Sequence, residues 1–456
     1  MCQKFNRKCP GPGSGPVIID MTAKTKSNPT RTKQSSHTSS PMQHEMPQPM
    51  TLNIQISSRY ALNEHFYSTF LAYFTATGEG EDLQNQHTWL QQLPTFSTDG
   101  SNMALEIAVQ ATASAFSGVK HGVNSQQGPQ LLQKASALYG KALHMHSRLL
   151  RLKKEITVHM VSTSVLLSIF EAMHATTASA YCEHLNGAAK MIEVAGPEQC
   201  MKGVLCQIYF HIRTQLTFVY LTSKKHRDHQ ESAERILRRS LNYDRLPIMQ
   251  RLLTLISRLS ELYVRFEEDG DEQNMHQQLA DADTFLSVRT AVTTLEKEYH
   301  STASEKGHTL TTKLPNSTIL YHSPYTAVCV AYFATARLLL FVLAQHLPVV
   351  HVDPTDYADI VLEATRFLKT VKIGCAFMRM ATPLYLLAAE ALRVDQRMEA
   401  LAVFEGWKVS GLGGVSALAL RKIHERGAKD ATAMLGEVPS AGVVSERGCA
   451  HLLRDT

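Results

Sequence analysis

Residues 131–149 run Leu131-Leu132-Gln133-Lys134-Ala135-Ser136-Ala137-Leu138-Tyr139-Gly140-Lys141-Ala142-Leu143-His144-Met145-His146-Ser147-Arg148-Leu149. Leu131, Ala135, Leu138, Ala142, Met145 and Leu149 recur in steps of four and three, which places them on one face of an amphipathic α-helix. The same stripe recurs around Tyr60–Phe74, Met103–Phe116, Met160–Met173, Tyr181–Val194, Val204–Leu221, Ile248–Phe266, Leu279–Tyr299, Ala327–Leu343, Tyr357–Val371, Pro383–Leu392, Met398–Phe404 and Val415–His424. No period-two run of β-branched residues stands between these segments, and no unit of about 20 to 50 residues repeats. The spacing predicts an all-α fold: a large, irregular multi-helix domain with short connections.

Outward from this body the composition changes. Pro10 to Met50 is rich in Pro, Gly, Ser, Thr and Gln and nearly free of aromatics, so it buries too little apolar surface to offset the entropy of ordering. A disordered N-terminal arm is expected there. The chain carries 46 basic and 41 acidic residues. Residues 1–50 hold seven basic side chains (Lys4, Arg7, Lys8, Lys24, Lys26, Arg31, Lys33) against Asp20 and Glu45, leaving 39 of each sign in the other 406 residues. The positive excess therefore belongs to the arm, and it suits either attraction to nucleic acid or simple solvation of a tail.

Within the body, the acidic run Glu267-Glu268-Asp269-Gly270-Asp271-Glu272 and the Ser/Thr/Gly stretch from His300 to Thr318 read as surface loops. They either divide the body into halves, 53–265 and 273–426, or interrupt one continuous domain. Past Arg426 the periodicity weakens, and residues 427–456 are expected to form a loose tail.

Eight cysteines scattered over 456 residues do not make the dense framework of a small secreted domain, so a reducing compartment is expected. Val17-Ile18-Ile19 is too short for the apolar core of a signal peptide. The best membrane-span candidate, Val328 to Val350, carries Arg337 near its middle and then Gln345, His346 and Pro348. A charge at the bilayer centre is costly, so a buried helix is expected and no membrane partner.

Few constellations carry chemistry. Cys2 and Cys9 enclose Lys4, Arg7 and Lys8, but two thiolates cannot close a zinc tetrahedron, and spacing alone reads as a chance pair. In the second constellation, Tyr181-Cys182-Glu183-His184-Leu185-Asn186-Gly187-Ala188-Ala189-Lys190-Met191-Ile192, the residues Leu185, Ala188, Ala189 and Ile192 form an apolar stripe. Gly187 and Ala188 are small enough for a neighbouring helix to approach, Gly196-Pro197 stops the helix, and His184 reads as a hydrogen-bonded core histidine. His226-Arg227-Asp228-His229 lacks a third metal ligand, and Gly11, Gly13 and Gly15 follow no strand. Gly411-Leu412-Gly413-Gly414-Val415-Ser416 reads as a turn between helices, not a nucleophile elbow. No catalytic residue is marked, and no enzyme is expected.

Cys9-Pro10-Gly11-Pro12 with Gly15-Pro16-Val17-Ile18-Ile19-Asp20-Met21-Thr22 resembles the last cysteine and exit segment of the fungal zinc-cluster transcription factors. Phe170-Glu171, the Tyr181–Ile192 stretch and the terminal Gly196-Pro197 resemble the regulatory region of the same family. Further matches are Trp89-Leu90 with Leu93-Pro94, Ala135 through Tyr139 to Ala142-Leu143, Tyr332 through Ala336-Arg337-Leu338, and Pro383-Leu384-Tyr385 with Trp407. The resemblance implies that residues 1–22 are the C-terminal remnant of a zinc-cluster DNA-binding domain, 23–52 a disordered linker and 53–426 a helical regulatory domain. It further implies that Cys2 and Cys9 are the fifth and sixth zinc ligands of an incomplete set, with Lys4, Arg7 and Lys8 as weak phosphate contacts. Zinc is then expected in a form carrying the other four cysteines and not in this chain alone, whether the chain starts late or is a short form without base readout.

The function the resemblance implies is regulation of transcription in the nucleus at RNA polymerase II promoters, possible targets being metabolic or secondary-metabolite genes. DNA is a partner only if the cluster is completed; a co-regulator or a second copy would engage the helical domain. The alternative is an all-helical enzyme or small-ligand-binding protein with a pocket between helices.

Overall fold

A computed structural model describes residues 64–436 except 84–86, 98–101, 123–124, 126, 153–154, 178, 201, 227–245, 270–274, 348–355 and 372–373. The zinc-cluster remnant with Cys2, Cys9, Lys4, Arg7 and Lys8, the linker, and most of the His226–His229 motif lie outside the described residues. Among those described, the chain forms sixteen α-helices and two short strands.

A π-helical turn, Phe66–Phe70, leads into α1 (Leu71–Phe74), then come α2 (Glu79–Asp82) and α3 (Trp89–Ser97). α4 (Met103–His121) starts under the Asn102 side chain, which accepts from the Leu105 amide at 3.1 Å, and ends on Lys120 and His121. Both ends thus complement the helix dipole and its orphan donors. α4 packs along α5 (Gln127–Leu152), which places Ala135, Tyr139 and Ala142 in the core. α6 (Val158–Met173) is buried on all sides from Met160 to Met173 and forms the axis of this part of the molecule. Thr163 Oγ1 donates to the His159 carbonyl at 2.7 Å and Ser168 Oγ to the Val165 carbonyl at 2.7 Å, so these two buried hydroxyls are satisfied within the helix.

α7 (Ala180–Ala195) and α8 (Gly203–Thr222) follow, then α9 (Ile248–Asp269) and the 31-residue α10 (Met275–Glu305). The acidic run expected to be a loop begins inside α9. Glu267 meets Lys422 at 2.8 Å and Glu268 meets Lys224 at 3.0 Å, so cations from elsewhere offset carboxylates at an unfavourable helix end.

Between His300 and Thr318 the expected loop is instead the end of α10 followed by an antiparallel hairpin, β1 (Thr311–Lys313) and β2 (Ile319–Tyr321), in the register Thr311↔Tyr321 and Lys313↔Ile319. Strands of three residues are too short to show an alternation, and β1 is wholly exposed.

α11 (Pro324–Ala344) is the apolar span candidate. Ser323 caps it, accepting from the Thr326 amide at 3.1 Å, and Pro324 occupies its first turn. The helix is long and apolar enough to cross a membrane, but most of it is buried in the core, and Arg337 pairs with Glu296 at 2.7 Å. The chain continues through α12 (Tyr357–Val371), α13 (Gly374–Arg379), α14 (Ala381–Glu390) and α15 (Val394–Ser410) to α16 (Gly413–Gly436). Gly411, with φ of +100°, ends α15 in the left-handed conformation, as expected for a turn between helices. α16 runs ten residues past the Arg426 limit expected for the helical body, through an Ala-rich segment whose intrinsic helix propensity outweighs its weak periodicity.

The described residues all fall within one compact unit. α8 packs on α9, α14 and α16, and α16 also packs on α6. Tyr209, Tyr332, Tyr385, Phe170, Phe218, Phe285 and Phe404 are among the largest fully buried side chains of a continuous core. Each such side chain contributes roughly 1.5–3 kcal/mol by leaving water.

Candidate functional site

The motif helix α7 is used in packing. Leu185, Ala188, Ala189 and Ile192 are buried as their spacing requires, and Gly196 ends the helix with φ of +87° before the turn Pro197–Cys200. The Tyr181 hydroxyl donates to Gln215 Oε1 at 2.9 Å, tying α7 to α8. His184 Nε2 lies 2.6 Å from the Tyr139 hydroxyl, and the Tyr139 ring stacks on Phe170 at 4.5 Å. Burial pushes the His184 pKa down to about 4, with His146 adding repulsion, so its imidazole is neutral at pH 7. Glu171 is fully buried, and its two oxygens accept from the Thr176 amide at 2.7 Å and the Thr176 hydroxyl at 2.5 Å.

His184 and Tyr139 therefore satisfy each other, while Glu171 is satisfied separately by Thr176. The expected role of Gly187 is not met: a Cβ there would reach only Ser164 Oγ, at an ordinary 3.8 Å. Close approach occurs instead at Gly414, where a Cβ would overlap the Glu171 carbonyl oxygen. Only glycine lets α16 begin against α6.

A second polar cluster sits where α2, α8, α11 and α13 meet. Arg379 of α13 pairs with Glu79 of α2, and its guanidinium carbon lies 5.8 Å from the centre of the Tyr325 ring. The Tyr325 hydroxyl donates to Asp82 Oδ2 at 2.8 Å, and the Tyr332 hydroxyl donates to the Arg379 carbonyl at 2.8 Å. Gly78, at φ of +92°, brings the turn before α2 against Ser323, whose side chain a Cβ would strike. The Tyr325 amide then donates to the Thr77 carbonyl at 3.3 Å. On the other side of Arg379, His211 lies edge-on to Trp89 at 5.6 Å. Burial first and the Arg379 charge second push the His211 pKa down to about 3. Asp82 moves the other way, pushed up to about 6 because burial outweighs the pull of Tyr325, Arg379 and Lys306.

Beside Asp82 opens a cavity of about 100 Å³ between α2, the start of α9, the end of α10, the hairpin and the start of α11. A second, of about 120 Å³, lies between α11, α12 and α15. Its polar wall is already satisfied, since Gln396 donates to Asp356 at 2.6 Å and to Asp359 at 2.9 Å. The cavity beside Asp82 is therefore the better ligand candidate.

Sequence reasoning singled out His184, Tyr181, Trp89, Tyr332, Tyr385 and Trp407, and the structure places each in packing. It missed Asp82, Tyr325 and Arg379. The one local signal was the acidic stretch Glu79-Gly80-Glu81-Asp82, which stands in a polar connection between Phe74 and Trp89. Among the described residues no group of three or more His, Cys, Asp or Glu is placed to hold a metal ion. Ser416, in the turn weighed as a nucleophile elbow, is fully buried and donates to the Phe404 carbonyl at 2.6 Å.

No curated protein and no solved structure matched the chain. A family model described as "Fungal specific transcription factor domain" matches residues 64–418, which takes in the Tyr139–His184 contact, the Arg379 cluster and every helix from α1 to α15. The chain therefore belongs to the fungal-specific transcription factor domain family.

Proposed function

We propose that this chain is a nuclear regulator of RNA polymerase II transcription whose helical domain works by binding other molecules and not by catalysis. The observation that supports this most is the family match over 64–418, on a fold whose motif side chains are used up in packing. Metabolic or secondary-metabolite genes are the proposed targets, and a co-regulator or a second copy the proposed protein partner.

For DNA, Cys2 and Cys9 are proposed as two thiolates of a binuclear zinc cluster, with Lys4, Arg7 and Lys8 on phosphates. Two thiolates do not satisfy even one tetrahedral zinc ion, so zinc binding and base readout require four further cysteines supplied with them.

The test is to tether the full chain to an unrelated DNA-binding module over a reporter promoter in a fungal host. A several-fold rise or fall in transcription relative to the module alone is expected. Unchanged transcription from a fusion shown to be folded and nuclear would sink the proposal.

A further inference from the structure

The cavity beside Asp82 combines features that serve no evident packing purpose. Its walls are largely apolar, made by Ile248 of α9, Tyr299 and Ala303 of α10 and the Tyr325 ring of α11. Its polar end is the Asp82 carboxyl, which among the described residues receives one side-chain hydrogen bond, from Tyr325 at 2.8 Å. Glu81 also lines the space, and Glu79, the third carboxylate of α2, is already paired with Arg379. The start of α11 does not offer a free anion site, because Ser323 Oγ already accepts the Thr326 amide at 3.1 Å. An anion there would also face Asp82 and Glu81.

We propose that this cavity binds a small primary ammonium ion carrying a short apolar tail, with the ammonium on Asp82 and the tail between Tyr299, Ala303 and Tyr325. An ammonium group supplies three donors to a carboxylate that receives one side-chain hydrogen bond among the described residues. A dry cavity of about 150 Å³ holds a six-atom ring, so about 100 Å³ suits a ligand of about four heavy atoms. The bound ion would join α2 to α10 and α11, making the cavity an effector site. The binding claim stands whether or not the domain regulates transcription.

The groups facing Asp82 set the pH response. They are Glu79 and Glu81 on its own helix, Arg379 on α13, Lys306 after α10, Tyr299 on α10, and Tyr325 and Cys329 on α11; His308 and His322 line the hairpin side of the cavity. The ammonium ion requires Asp82 ionised. Binding therefore weakens as pH falls through about 6, where Asp82 takes up its proton.

The test is ligand-observed NMR on the full chain in phosphate buffer, with n-propylamine as probe and 1-propanol and propionate as its neutral and anionic counterparts. Saturable binding of the amine alone is expected. Asp82→Asn, checked for folding by circular dichroism, is expected to weaken it at least about tenfold, the loss of a charge-assisted hydrogen bond. Lys306→Ala, at the exposed rim, is expected to strengthen it about threefold by removing a competing cation. No saturable amine binding, equal binding of propionate, an unaffected Asp82→Asn, or a weaker Lys306→Ala would each overturn the proposal.

Discussion

Arg379 is 7% exposed and faces Glu79, which is 14% exposed, so neither charge has water to fall back on. Removing one partner of such a pair is far more damaging than removing both, because a lone buried charge keeps its desolvation cost. Arg379→Met is expected to destabilise the chain by about 3–5 kcal/mol, and the double variant with Glu79→Gln by clearly less. Urea unfolding midpoints check this, and equal losses from the single and double variants would refute it. Tyr139→Phe deletes the hydroxyl bonded to His184 while keeping the ring on Phe170, so a smaller loss of about 1 kcal/mol is expected by the same measurement. His184 was legible in the sequence as a hydrogen-bonded core histidine, whereas Tyr139 stands outside the stripe from Leu131 to Leu149 and gave no such signal. Arg379 was not legible either, because a charged residue gives no periodic signal and its partner lies 300 residues away.

For the helices the decisive quantity is how closely two of them approach, and glycine reports it only where backbone stands opposite. At Gly414 the opposing atom is the Glu171 carbonyl oxygen, which cannot swing aside. Gly414→Ala is therefore expected to cost several kcal/mol, about the scale of a core overpacking error or more, through separation of α16 from α6. Gly187→Ala meets only a serine hydroxyl at 3.8 Å and relieves a helical glycine, so a gain of about 0.5–1 kcal/mol is expected. Thermal melts of the two variants should move in opposite directions; a loss at Gly187 would show that the packing of α7 is misread. Periodicity located nearly every long helix, since burial of one face repeats along the chain. It did not tell Gly187 from Gly414, because clearance depends on the neighbouring element. It also passed over the hairpin at 311–321, whose strands are too short to alternate.

Taken as a whole, the molecule holds several histidines below their ordinary pKa by burial, His65 and His174 modestly and three others strongly among the described residues. Burial holds His146 and His184 near 4 and His211 near 3, against an ordinary value of 6.5. The unfolded chain therefore binds protons that the folded one refuses, and stability drains as pH falls from about 6.5 toward 4. Asp82 opposes this, since its raised value makes the folded chain the better proton acceptor between about 6 and 3.8. The lowered histidines outnumber the raised carboxyls of Asp82 and Glu363, so the melting temperature is expected to fall between pH 7 and 4.5, and less steeply in His211→Gln. A flat profile would refute this balance. The Arg379–Glu79 pair has one more consequence, set by the direction of protein synthesis. At about 5–20 residues per second, α2 is synthesised about 15–60 s before its guanidinium partner has been made. Nascent chains stalled short of Gly374 should thus stay open to protease near Glu79, and those with Arg379 clear of the exit tunnel should close.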